Sequence, residues 1–202
     1  MKNKFAHVKK DKSLLQSSII ILTETWLEEK QNMIEQYDLT EYKSNLNSIG
    51  RGRGIAAYYK DNYKHITNIN CEGVSLTKLE SETLDVIGIY RSQEGNVTTL
   101  IQQLESLITE GKTTVVGGDF NICALANPKN YITQTLIGMG FKQIVNKPKH
   151  IEGGLIDHIY LIEGRKKTIS YFIEICPKYY SDHDGLGLTL HEVDEDEKNM
   201  KT

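Results

Sequence analysis

Thr113-Thr-Val-Val-Gly-Gly-Asp-Phe-Asn121 is the stretch on which the fold turns. Four β-branched residues read as a strand. That strand runs into two glycines, then a carboxylate, an aromatic ring and an amide. Loop residues on a rigid scaffold are where chemistry tends to sit. Taken alone, Gly117–Asn121 also reads as a tight turn closed by an Asx hydrogen bond.

Upstream of it, Val97–Ile108 has the clearest helical pattern, with Val97, Leu100, Ile101, Leu104, Leu107 and Ile108 on one face. Gly111 is placed to end that helix. Before it lie four short strand-like runs, Ile55–Lys60, Lys64–Ile69, Val74–Leu79 and Thr83–Tyr90, which suggest antiparallel pairing. In the last, Leu84, Val86 and Gly88 share one side and Asp85, Ile87 and Ile89 the other. Further upstream, Ser18–Leu22 is apolar on both faces and reads as a buried strand, flanked by helical character over Phe5–Gln16 and Thr23–Gln36. Gly50–Gly54 reads as a loop. Downstream, a helix is expected over Tyr131–Met139, and strands over Lys142–Val145, Ile156–Ile162, Thr168–Ile175 and Leu186–Leu190. Strands outnumber scattered helices, which points to a mixed α/β sandwich rather than a strict βαβ repeat.

The 202 residues suit one domain with a core of its own. Residues 1–191 are expected to form it, and the charged stretch 192–202 an acidic disordered tail. A net charge of −3 excludes a polycationic nucleic-acid coat but not a local basic groove. Cys71, Cys123 and Cys176 are odd in number and widely spaced, so a disulfide framework or cysteine zinc site is not expected. An intracellular chain, nuclear or cytoplasmic and not secreted, is the expectation. No apolar run reaches membrane-spanning length, so no membrane partner is expected either.

Four segments set polar groups beside apolar strands: Leu22–Leu27 with Glu24, Gly117–Asn121 with Asp119 and Asn121, Leu155–Tyr160 with Asp157, and Ser181–Asp184 with Asp182 and His183. Each has a plain reading by itself: Glu24 as a helix cap, Asp157 as a water-facing strand residue, His183 as a structural histidine. Together they are the set needed for metal-assisted attack of water on a phosphoryl group. Carboxylates hold a hard cation such as Mg²⁺ through oxygen, a carboxylate deprotonates the water, and an amide and an imidazolium stabilise charge on phosphate oxygens. No phosphate-binding GxxxxGK[ST] loop, GxSxG elbow or HExxH zinc motif competes with this reading.

The ordered series Thr23-Glu-Thr-Trp-Leu27, Ile89-Tyr-Arg91, Gly118-Asp-Phe-Asn121, Ile156-Asp-His-Ile159 and Ser181-Asp-His183 resembles the endonuclease/exonuclease/phosphatase superfamily, over about Asn3 to Leu190. Within it, Leu22–Leu27, Arg51–Tyr58 and Val145–His150 look like endonucleases of non-LTR retrotransposons. Ile151–His158 and Tyr179–His183 also look like modules attached to helicase-bearing transposons. The resemblance implies a four-layer α/β/β/α sandwich of two mostly antiparallel sheets with outer helices. It also implies roles. Glu24 binds the metal, with Asp182 beside it. Asp119 aligns or activates the water, and Asn121 holds a phosphate oxygen. His183 contacts the scissile phosphate, oriented and kept protonated by Asp157. Tyr90 hydrogen-bonds the phosphate; its plain alternative is a strand-end aromatic.

Arg51, Arg53, Arg91, Lys147, Lys149 and His150 are the candidate contacts to the backbone of double-stranded DNA, with ordinary solvated charge as the alternative for each. Lys149 stands where related enzymes often have threonine. The family opens with an asparagine-bearing strand ahead of a helix, and here Met1–Phe5 already resembles the start of that helix. An absent first strand is therefore expected, with a rate cost of ~10²–10³ for one lost preorganised group. The expected activity is Mg²⁺-dependent (Mn²⁺ as substitute) nicking of DNA by a monomer, leaving a 3′-hydroxyl and a 5′-phosphate. The rivals are a weak or inactive nucleic-acid-binding remnant, or a phosphatase or lipid phosphodiesterase on the same fold.

Overall fold

The computed structural model describes residues 4–27, 37–47, 54–60, 63–145, 154–165 and 168–193. In chain order these form α1 (Phe5–Val8), α2 (Lys12–Leu15), β1 (Ile19–Thr23), β2 (Lys43–Asn47), β3 (Ile55–Tyr59), β4 (His65–Cys71), β5 (Val74–Glu80) and β6 (Leu84–Arg91), then α3 (Val97–Leu107), β7 (Thr113–Asp119), α4 (Tyr131–Gly138), β8 (Lys142–Gln143), β9 (Asp157–Ile162), β10 (Thr168–Cys176) and β11 (Gly185–Val193). The strands build a six-stranded sheet ordered β4-β5-β6-β7-β9-β8, a three-stranded sheet ordered β1-β3-β2, and a β10-β11 hairpin.

Period-two alternation sorts the side chains into layers. On one face of the three-stranded sheet, Ile20, Leu22, Ala56 and Tyr58 pack with Phe5 and Val8 of α1. The intervening Ile19, Ile21, Ala57 and Tyr59 pack with Leu79 and Val86 of the six-stranded sheet. In that sheet Ile87, Ile89, Val116 and Tyr160 meet Leu100 and Leu104 of α3 and Ile132 and Leu136 of α4. Val115, Ile159 and Leu161 point the other way, toward Tyr171, Ile173 and Leu188 of the hairpin. The fold is the expected mixed α/β sandwich: helices, the three-stranded sheet with the hairpin, the six-stranded sheet, helices. Close layer packing explains Gly88, where a Cβ would lie 2.9 Å from Ile21 Cγ2.

Several local expectations are corrected. The four upstream strand runs do not form one antiparallel set: β3 joins β1 and β2, while β4, β5 and β6 pair antiparallel among themselves. β6 and β7 run parallel, which their connection through α3 requires. The first helical stretch is split at Asp11, whose carboxylate instead accepts from the Ser13 and Leu14 amides to start α2. Over 23–27 there is no helix; Glu24 and Trp26 take positive φ as the chain turns off β1. The rest of that expected helix, and the Arg51 and Arg53 part of the glycine loop, lie outside the described residues. β2 was not expected, because Lys43-Ser-Asn-Leu-Asn47 offers a single apolar side chain. The Lys142–Val145 strand shrinks to two residues, and β11 continues through Glu192 to Val193, past the point where the tail was expected to start. β1 pairs along one edge with β3; among the described residues its other edge carries no ladder.

Candidate active site

Parity of the strands places the acidic groups. Asp119 shares the face of Val115, and Asp157 that of Ile159 and Leu161, so both point from the six-stranded sheet toward the opposing layer. Register puts Tyr90, Asp119 and Asp157 side by side across β6, β7 and β9. Two hydrogen bonds join this row to the other layer. The Tyr90 hydroxyl donates to Glu24 Oε1 at 3.1 Å, and His183 Nδ1 donates to Asp157 Oδ2 at 2.7 Å. Glu24 sits just beyond the end of β1 and His183 just before β11, so residues from five segments converge at one end of the sandwich.

The Gly-Gly pair shapes the strand end. Gly118 has φ 142, and a Cβ there would lie 2.0 Å from the Ile89 carbonyl oxygen. Only glycine lets β7 lie this close to β6 before the turn. Asn121, at φ 50, closes the turn: its backbone N–H donates to Asp119 Oδ1 at 2.9 Å. Its side-chain amide donates to the Arg91 carbonyl at 2.7 Å and to Asp119 Oδ2 at 3.3 Å. Asn121 thus positions Asp119, and its amide nitrogen is engaged there rather than directed at a phosphate.

Burial of the Asp119 carboxyl, with the Asp157 charge beside it, pushes its pKa up to about 7; the Asn121 amide and His183 act in the opposite sense, and Glu24 adds to the rise. His183 is raised above the ordinary histidine value, first by its hydrogen bond to Asp157 and then, against burial, by the charges of Asp157, Asp119 and Asp182. Asp182 itself is exposed and acts on His183 through charge.

Arg91 departs from its expected role. It is 4% exposed, and its guanidinium donates to the carbonyls of Phe120, Gln93, Gly95 and Asn121. A buried fork committed to four carbonyls braces the Asp119 loop and is not a DNA-facing cation. Lys147, Lys149 and His150 lie, like Arg51 and Arg53, outside the described residues. Sequence reasoning also missed His158. Fully buried, it stacks on Phe120 with ring centroids 4.8 Å apart and bonds the Ile122 and Leu155 carbonyls at 2.9 and 3.1 Å. It pins the start of β9 to the Asp119 loop. Its position next to Asp157, on the opposite strand face, was the available signal.

No family model and no curated protein matches this chain. Solved structures do. An AP endonuclease from Archaeoglobus fulgidus superposes with a TM-score of 0.68 at 16% identity, covering 93% of this chain and 94% of that one. The fold is that of the endonuclease/exonuclease/phosphatase proteins. A protein of that family from Leptotrichia buccalis matches with a TM-score of 0.61 at 12% identity, over 94% of this chain and 93% of its own. The Haemophilus ducreyi cytolethal distending toxin matches with a TM-score of 0.63 at 14% identity, over 93% and 91%.

Proposed function

We propose that this chain is a metal-dependent phosphodiesterase that nicks DNA, of the mobile-element type. The observation that carries the reading is the row Tyr90–Asp119–Asp157 facing Glu24 and His183 across the two layers. A carboxylate near pH 7 is poised for general-base work, and Asp119 is that group. In the proposed step, Asp119 takes a proton from water as the water oxygen bonds to phosphorus. The bond to the 3′-oxygen breaks, and that oxygen takes its proton from solvent. The His183 imidazolium offsets charge on the phosphate oxygens, Asp157 holds the ring, and Tyr90 fixes the Glu24 carboxylate.

A hard cation fits the residues present. The donors are all oxygen, and the mutual repulsion of Asp119, Asp157 and Glu24 is what a cation relieves. Glu24 and Asp182, both exposed, would hold it. Among the described residues no three His, Cys, Asp or Glu side chains cluster around one point. Mg²⁺ takes one or two carboxylates and completes its shell with water and phosphate. When bound, the ion neutralises phosphate charge and supports the leaving oxygen.

Arg51, Arg53, Lys147, Lys149 and His150 remain the proposed phosphate contacts on duplex DNA. Among the described residues no helix is long and apolar enough to cross a membrane. The test is nicking of supercoiled plasmid with Mg²⁺ or EDTA, wild type beside Asp119→Ala and His183→Ala. Mg²⁺-dependent relaxed circles that vanish in both variants are expected. No nicking by the folded chain overturns the active-nickase reading. Hydrolysis of small phosphate esters without nicking identifies the phosphatase rival.

A further inference from the structure

The loop that delivers Asp182 and His183 also carries Tyr179 and Tyr180, and these line a cavity of about 500 Å³ with His7, Lys10 and Lys12. None of these residues has a part in the chemistry above. The cavity falls in the size range of small-ligand sites. Its wall is a set of three rings. His7 lies parallel to Tyr180 with centroids 5.6 Å apart and planes 8° from parallel. Tyr179 stands edge-on to both, at 5.3 Å from His7 and 5.2 Å from Tyr180. Its hydroxyl bonds His7 Nδ1 at 3.0 Å, yet the residue is 84% exposed. A large ring is thus held in place with its surface offered to solvent.

The floor is rigid. Asp11 Oδ2 accepts from Lys178 Nζ at 2.6 Å and from the Tyr180 hydroxyl at 2.7 Å. The Lys178–Asp11 pair is mostly buried, with side chains 7% and 12% exposed. Burial opposes ionisation of Asp11, but the hydrogen bonds from Lys178, Ser13 and Tyr180 outweigh it and hold the carboxyl ionised well below the usual range. The clamp ties α2 to the 177–184 loop and leaves Lys10 and Lys12 as exposed cations on the rim, with no carboxylate partner among the described residues.

Fixed aromatic rings beside free cations are the elements by which proteins hold unpaired bases: the ring stacks on the base and the cations take the adjoining phosphates. Three peptide units separate Tyr179 from Asp182, so their Cα atoms lie within about 11 Å. We infer that this cavity is a subsite for one unpaired nucleobase, within a few nucleotides of the phosphate at His183, with its flanking phosphates on Lys10 and Lys12. The inference rests on the DNA reading above and adds what the duplex contacts do not: preference for a substrate with a base out of the stack.

The test uses the full chain in EDTA, so that binding is read without cleavage. The probes are oligonucleotides with a duplex–single-strand junction, carrying one 2-aminopurine either paired or unpaired at successive positions from the junction. Quenching of the unpaired probe and little change of the paired one are expected. Tyr179→Ala should lose the quench and weaken binding of the unpaired probe about ten-fold, while Tyr179→Phe keeps the quench. Substituting Lys10 and Lys12 together by Gln should lower the salt slope of binding by about two. No quench at any position, or equal quench and affinity in Tyr179→Ala, overturns the subsite. Tyr179 is exposed enough that its truncation leaves the fold intact, which circular dichroism checks. Quenching by a chain that never nicks with Mg²⁺ overturns the hydrolase reading and keeps the subsite; nicking without quenching does the reverse.

Discussion

His183 Nδ1 and Asp157 Oδ2 lie 2.7 Å apart and join the β10–β11 hairpin to the first residue of β9. This bond crosses between the two β layers at the end where Glu24 also meets Tyr90. It sets a sign for pH. The folded histidine pKa is raised, so the pair's contribution to stability is full below the ordinary histidine value and is lost as pH rises through the folded value. Asp157→Asn removes the largest cause of the rise. Its alkaline limb in a profile of nicking rate against pH should move to lower pH, with a drop of about 10²-fold at neutrality. An unmoved limb in Asp157→Asn would separate this pair from the reaction.

Asp119 has the opposite thermodynamic character. Its folded pKa, about 7, lies above the value near 3.8 expected when unfolded, so the folded state binds the extra proton. Stability attributable to this group is therefore highest in acid, falls between about pH 4 and 7, and is gone above that. In EDTA, Asp119→Asn should raise stability at pH 8 by roughly 2–4 kcal/mol and change it little at pH 4, while abolishing nicking. Urea midpoints at the two pH values check this. Equal shifts at both would show that Asp119 is ionised throughout.

Arg91 gives a third expectation. Lysine keeps the charge but cannot reproduce a fork that reaches the carbonyls of Phe120, Gln93, Gly95 and Asn121. Arg91→Lys should cost roughly 2–4 kcal/mol in denaturant unfolding. The salt slope of DNA binding should stay at the wild-type value, because no phosphate contact is lost. A slope reduced by one would restore Arg91 to the DNA-facing set.

Gly118 is the least replaceable backbone position in the site. Alanine would bring a Cβ against the Ile89 carbonyl at a φ that L side chains rarely adopt. β7 must then move off β6 next to Asp119. Gly118→Ala should lower stability by several kcal/mol and reduce nicking by more than about 10²-fold. Gly138→Ala, where the added Cβ meets nothing within 4 Å, is the matched control.

Most of this was legible because the signals are local. The alternation in Leu84–Tyr90 is the split between the two faces of β6, with Ile87 and Ile89 toward α3 and Val86 toward the opposing layer. The ordered motifs marked Asp119, Asp157 and His183 because Asp119 ends β7, Asp157 begins β9 and His183 lies two residues before β11. What escaped was long-range. Arg91 looks like any strand-end cation until Phe120 and Asn121 fold over it. β2 is too polar to announce itself, being held by a register with β3. The turn at Glu24 hides in a sequence of fair helical propensity, because positive φ there is imposed by the sheet end and not by the residue.

The far end of the same sheet offers the means to separate stability from chemistry. Asp85, fully buried at the start of β6, holds Lys78 Nζ at 2.7 Å and Lys112 Nζ at 2.6 Å. It also accepts from Thr109 Oγ1 at 2.9 Å. β6 carries Asp85 near one end and Tyr90 near the other, five residues on, or roughly 17 Å along a strand. Replacing Asp85 by alanine leaves two largely buried ammonium groups with Glu80, at 3.8 and 3.3 Å, as their carboxylate partner, so unfolding should become easier by about 2–4 kcal/mol. Asp85→Asn keeps the shape and acceptor oxygen and should cost less. Below its unfolding transition Asp85→Ala should retain the wild-type pH profile of nicking, since no contact in the Tyr90–Asp119–Asp157 row changes. A shifted profile would mean that the charges at the two ends of the sheet are coupled.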